Sequence, residues 1–236
     1  YLRASRMAGR SSVFGDEVAV MLSIASLLPG IDCFVDAGAN VGLYSCSIAR
    51  FQTLFPDLRV EAFEADPDTF ERLRRNLAGP KTKAHHVALG SEAGRLRFVR
   101  GAVSHVTTTI EQSNAYSLGE TFEVECRRLD AFDVRGERLL LKIDVEGQEL
   151  DVLLGAEEWF DQKRCVAVYL DGFEHPEEVC KFLTRYGFEF FDGRTLKSAG
   201  KDTFSLLALQ REWLATLRNR LPHEPRRHHP AGADLE

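Results

Sequence analysis

The chain has 236 residues, with 30 Lys+Arg against 36 Asp+Glu, a net charge of −6 and 44% apolar residues. That length suits one large domain or two small ones, and the acid surplus excludes a protein that coats nucleic acid, whose phosphate contacts need a basic excess. The five cysteines, at 33, 46, 126, 165 and 180, contain no C-x-x-C pair. Neither a zinc site nor a disulfide framework is expected, and a reducing, cytoplasmic setting is.

The first apolar stretch, Val18 to Leu28, is shorter than the roughly 20 residues a bilayer needs. It reads as an amphipathic helix in an N-terminal helical flank over 1–30, and no membrane span is expected. The start at Tyr1 suggests a truncated beginning, and the closing Leu235-Glu236 resembles a vector junction. From residue 33 onward short apolar runs alternate with helical periods, the signature of stacked βα units around a parallel sheet. Strands are predicted at 33–36, 60–64 and 83–89. Helices are predicted at 42–55 and 66–78, the second opened by Asp66 as its cap and Pro67 in its first turn. Period-two alternation over 95–100 and 121–129 predicts an antiparallel pair joined by a polar loop. The run at 139–144 is apolar apart from Lys142, as in a sheet buried on both faces. A helix over 148–160, a strand over 165–171, a helix over 175–187 and strands over 188–192 and 204–210 complete the pattern. Residues 211–220 read as a last helix and the remainder, to 236, as a disordered tail.

Three strand ends carry the chemistry. At the first, Asp36-Ala37-Gly38-Ala39-Asn40-Val41-Gly42 joins an apolar strand to a helix through two glycines. A tight strand-to-helix turn needs such glycines, and so does close approach of backbone to a ligand. The spacing is G-x-x-x-G where a dinucleotide fingerprint wants G-x-G-x-x-G, and Asp36 would repel a diphosphate but suit an ammonium or other cationic centre. At the second, Glu64 ends the next strand, where a carboxylate can take both hydroxyls of a ribose or stand solvated. At the third, Lys142, Asp144 and Glu146 close a buried strand. Charges there are costly unless paired with one another or used.

The blocks DAGANVG (36–42), FEADPDTFERLRRNL (63–77), ALGSEAG (88–94), RRLDAF (127–132) and LLKIDVEGQELDVLLGA (140–156) occur in that order. Together they resemble the FkbM family of S-adenosylmethionine-dependent methyltransferases over roughly residues 30–210. The resemblance implies an α/β, Rossmann-like, seven-stranded methyltransferase sheet over 31–210. That sheet would be mostly parallel with an antiparallel last strand and would carry helices on both faces. It implies S-adenosylmethionine as methyl donor, and O-methylation of a sugar, a polysaccharide or a natural-product scaffold. Asp36, Gly38, Asn40 and Gly42 would then hold the methionine end of the cofactor, Glu64 the ribose, and the turn around Ala88 and Leu89 would flank the adenine. Asp171 stands where relatives often have Glu.

An alcohol is a weak nucleophile, so a general base is expected beside it. Asp144 or Glu146 is the candidate, with Asp144 favoured at the strand end and Lys142 orienting the acid. A divalent cation held by Asp144, Glu146 and Asp171 is the alternative, and no metal is expected. Ser104 and His105, in the polar loop, are candidates for selecting the acceptor, a small molecule or glycan and no nucleic acid. The rival readings are a cofactor-binding but non-catalytic part of a larger carbohydrate-modifying protein, and an NAD(P)-dependent oxidoreductase.

Overall fold

Alternation along the central strands sets the layers. In β1 (Cys33–Ala37) the residues Cys33, Val35 and Ala37 face one hydrophobic cluster and Phe34 faces another. In β8 (Leu139–Ile143) Leu139, Leu141 and Ile143 join the first cluster and Leu140 the second. Both strands are buried throughout, which explains why they read as continuous apolar runs. A computed structural model of the protein describes residues 13–100, 107–109, 120–200 and 203–220.

The remaining main-sheet strands are β2 (Arg59–Glu64), β3 (Thr82–His86), β9 (Cys165–Asp171), β10 (Phe188–Asp192) and β11 (Ser205–Gln210). The seven-stranded sheet has the order β10-β11-β9-β8-β1-β2-β3. Pairing is parallel except around β11, which runs antiparallel to both β10 and β9. From β1 the chain moves outward through β2 to β3, then returns to lay β8 on the other flank of β1. The strand order therefore reverses between β1 and β8, and ligands of open α/β sheets bind beyond the strand ends at such a point.

Helices cover both faces. On one lie α4 (Glu149–Leu154), α5 (Glu157–Asp161) and α6 (Pro176–Arg185), with Val152, Leu153, Trp159 and Leu183 buried against the sheet. On the other lie α1 (Val13–Leu27), α2 (Leu43–Ala49) and α7 (Arg211–Arg220), bringing in Ile24, Leu27, Ile48 and Trp213. The N-terminal helix thus shares a core with Phe34 and Leu140. A third packing unit, α3 (Pro67–Asn76), closes over Ala39 and Ala62 through Leu73. Asp66 caps α3 by accepting the amides of Asp68 and Thr69, as its place before Pro67 predicts.

Three segments differ from the pattern read in the sequence. The predicted strand 83–89 breaks at Val87: β3 stays in the main sheet, while β4 (Ala88–Leu89) pairs with β7 (Thr121–Arg127). The expected antiparallel pair, β5 (Gly94–Arg100) with β7, is present and belongs to a separate four-stranded sheet ordered β4-β7-β5-β6. Its edge strand β6 (Thr107–Thr109) comes from the segment read as loop. The helix predicted over 148–160 is two helices, because Gly155 packs on the backbone of Gly90. A Cβ at Gly155 would lie 2.1 Å from the Gly90 carbonyl oxygen.

All five cysteines are free thiols. Burial raises the pKa of Cys33 and of Cys165 above the usual thiol range, which keeps both protonated. Among the described residues no helix is long and apolar enough to cross a membrane. The tail beyond Arg220 lies outside the described residues.

Candidate functional site

The loop after β1 is held by its own chain. Gly38 and Ala39 donate to the Phe63 carbonyl at 3.0 and 2.9 Å, and Gly42 donates to Ala39 at 2.9 Å. The Asn40 amide donates to Glu64 Oε2 at 2.8 Å, and the Val41 amide to Asn40 Oδ1 at 2.7 Å. Every backbone amide from Gly38 to Gly42 is therefore engaged inside the protein. Gly38 has a φ of 76°, and a Cβ there would sit 1.9 Å from the Asp144 carbonyl oxygen. The glycine thus admits the end of β8, a contact within the chain. Gly38→Ala should cost roughly 3 kcal/mol or more, from the left-handed backbone and the clash together, and urea melts would measure it.

The neighbouring row of the sheet is polar. Register places Asp36 beside Lys142 and Lys142 beside Tyr169, so all three side chains stand on the face covered by α1 and α2. Asp36 is 0% exposed; Ser45 Oγ donates to its Oδ2 at 2.6 Å, and Lys142 Nζ lies 3.1 Å from its Oδ1. Lys142, itself 2% exposed, also reaches Asp144 Oδ2 at 3.5 Å, and its ammonium lies 4.9 Å from the centre of the Tyr44 ring. Burial works to lower the lysine pKa, but Asp36 and then Asp144 outweigh it and hold the ammonium above the usual lysine value.

The ammonium beside Asp36 is that of Lys142, where the sequence pointed to one carried by a ligand. The lysine's first partner is Asp36, Asp144 is its second, and no contact ties it to Glu146. Asp144 has a side chain 37% exposed. Burial raises its pKa, Lys142 opposes that, and Asp171 and Asp36 push it further up. Glu146 is exposed, in a left-handed turn with φ 51°. Partial shielding from water and the carboxylates of Asp144, Glu149 and Asp171 raise its pKa. Glu149 closes this turn from below, accepting the Gly147 amide at 2.8 Å and the Glu174 amide at 3.2 Å.

Glu64 accepts the amides of Asn40 and Asp66, one on each oxygen, yet burial still pushes its pKa up to about 7. Each oxygen keeps acceptor capacity for a further donor. Because the folded protein binds this proton more tightly than the unfolded chain does, stability from Glu64 is fullest below pH 4.5 and is lost as the pH rises to about 7. The raised values of Asp144 and Glu146 act in the same direction. Melts at about pH 5 and about pH 8 should show a smaller difference for Glu64→Gln than for the unaltered protein. Equal differences would count against this assignment.

Residues 36–190, about two thirds of the chain, match the family model described as the methyltransferase FkbM domain. The chain belongs to that family. Methyltransferase sdnD of Sordaria araneosa is 33% identical to it over 165 residues, 56% of this chain and 62% of that protein. Hexuronic acid methyltransferase AglP of Haloferax volcanii is 28% identical over 159 residues, 65% of this chain and 62% of that protein. The matched part therefore spans about three fifths of each of these relatives. Among solved structures, a TehB-like SAM-dependent methyltransferase from Corynebacterium glutamicum aligns with a TM-score of 0.45 at 12% identity, covering 88% of this chain and 91% of that one.

Within this FkbM-family chain, the loop residues, Glu64, Lys142 and Asp144 gather at the reversal of strand order. Ala88 and Leu89 lie one step further out with their side chains buried, Leu89 in the main core and Ala88 in that of the small sheet. Ser104 and His105 lie outside the described residues. Among the described residues no three His, Cys, Asp or Glu side chains are grouped so as to hold a metal ion.

Sequence reasoning did not single out Ser45, Tyr44, Tyr169 or Glu17. Ser45 was within reach of it: the third residue of a helix that follows a strand end faces back toward that end. Tyr169 precedes Asp171 by two and so shares its face. Glu17, on α1, receives a short hydrogen bond from the Tyr44 hydroxyl across a tertiary contact that no local pattern announces.

Proposed function

We propose that this chain is an S-adenosylmethionine-dependent O-methyltransferase acting on a hydroxyl of a sugar, polysaccharide or natural-product scaffold, with residues 31–210 as its cofactor-binding unit. One observation carries the choice of cofactor. The amides from Gly38 to Gly42 are all engaged within the chain, while Glu64 beside them keeps acceptor capacity. A pyrophosphate would need those amides and would meet Glu64 and Asp144 as like charges. An unphosphorylated nucleoside needs only the two acceptor sites of Glu64 for its diol, and the residues present fit it. This favours S-adenosylmethionine over NAD(P).

In this reading Glu64 would hold the ribose, and Gly38, Asn40 and Gly42 would shape the methionine end with Asp36 behind them. The backbone of Ala88 and Leu89 would flank the adenine. When bound, the cofactor supplies an electrophilic methyl on a sulfonium centre. The chain's own work is to align the acceptor and take its proton. Asp144, at the strand end and partly exposed, would accept that proton on a carboxylate oxygen, with Lys142 steadying the anion form. Glu146, more exposed and set in a left-handed turn, is the lesser candidate.

Calorimetry with S-adenosylhomocysteine and NADP side by side tests the proposal. Micromolar binding of the first and none of the second is expected, and the reverse would sink it. Transfer that continues in excess chelator is expected as well; loss of activity there would bring back a cation at Asp144.

A further inference from the structure

Two chain segments leave the ends of β8 and β9. The first, after Ile143, carries Asp144 and Glu146 and turns through two left-handed residues, Glu146 at φ 51° and Gly147 at φ 94°. The second, after Asp171, runs from Gly172 at φ 69° to His175 at φ 51°, where α6 begins. Val145 of the first and Phe173 of the second pack against the main core. Glu149, the first residue of α4, is 3% exposed and bonds to both segments: Oε1 accepts the Gly147 amide at 2.8 Å and Oε2 the Glu174 amide at 3.2 Å. A carboxylate withdrawn from water needs donors on its oxygens. Among the described residues those donors are the two backbone amides, one from each segment, and no lysine or arginine.

We propose that Glu149 is a positioning residue that ties the turn bearing Asp144 and Glu146 to the segment after Asp171, so that the two hold one geometry or loosen together. If either segment swings away, one carboxylate oxygen stays buried without its donor, and an unmet acceptor in a low-dielectric setting is costly. Each segment is therefore stabilised by the presence of the other. Glutamine cannot replace the carboxylate in this role. It offers one oxygen, and its amide group would face the second backbone N–H donor to donor. The bearing on catalysis rests on the methyltransferase reading above, in which Glu149 fixes where the base stands without touching the substrate. The coupling of the two segments does not depend on that reading.

Hydrogen exchange read by mass spectrometry tests the coupling, and titration with S-adenosylhomocysteine separately tests the reading it serves. No binding to the unaltered protein sinks that reading and leaves the coupling standing. In Glu149→Gln the amides over 144–148 and over 172–175 should both exchange about tenfold or more faster, while β1 and β8 stay as slow as before. Affinity for S-adenosylhomocysteine should stay within about twofold, because Glu64 and its loop share no hydrogen-bond partner with Glu149. Glu174→Pro removes one donor and should speed exchange over 144–148, in the other segment. Adding that proline to Glu149→Gln should change exchange over 144–148 no further. Faster exchange in one segment alone, an affinity lost with the carboxylate, or a proline effect on 144–148 that persists in Glu149→Gln overturns the inference. Should Glu149→Gln not fold, Glu174→Pro decides by itself, and unchanged exchange over 144–148 overturns the inference.

Discussion

Asp144→Asn should lower methyl transfer on the order of 10²–10⁴-fold while leaving S-adenosylhomocysteine affinity nearly unchanged. The asparagine keeps the shape and the contact with the end of β1, since the Asp144 amide, which donates to the Ala37 carbonyl at 3.0 Å, is untouched. What it removes is the group able to take a proton. The acid side of the pH–rate profile supplies an independent readout. Burial, Asp171 and Asp36 together raise the Asp144 pKa despite Lys142, so activity should fall with decreasing pH at a value above that of an ordinary aspartate. The variant's residual activity should lack that limb. An unchanged rate would exclude Asp144 as the base and direct attention to Glu146.

Lys142→Met should be among the most destabilising single changes in the protein. It leaves the Asp36 carboxylate, 0% exposed, with Ser45 as its one remaining side-chain donor among the described residues. Breaking a buried pair in this way costs about 3–5 kcal/mol, which for a chain of this size lowers the melting temperature by on the order of 10 °C. The pair Asp36→Asn with Lys142→Met should be less damaged than the lysine variant alone, because no uncompensated charge remains. A double variant no better than the single one would show that the lysine acts through packing against Tyr44. Differential scanning calorimetry on the set decides between the two.

The Asp36–Lys142 pair also shows where sequence reading stops. Both residues were visible as charged ends of apolar strands. Their pairing depends on β8 lying against β1 in register, a fact of topology that periodicity does not carry. Lys142 therefore read as a partner for the acids next to it in sequence. The central strands were legible because burial on both faces removes polar residues from them. The break at Val87 was not, since residues 83–89 contain no glycine or proline to mark it and only the position of β7 separates β3 from β4. Gly155 likewise ends α4 because Gly90 approaches it from another part of the chain. Of the candidate site, Asp36, Glu64 and Asp144 were legible as acids ending strands. The contact of Glu17 with Tyr44 was not, because it depends on the tertiary placement of α1.

The loop between β1 and α2 has its amides occupied and its turn fixed by Asp144 before any ligand arrives. Its conformational entropy is lost during folding rather than on association. In the proposed reading, nucleoside capture at Glu64 would then be a lock-and-key event, with the loop in the same geometry before and after. Its kinetics should be single-exponential, with an observed rate that climbs linearly with ligand concentration.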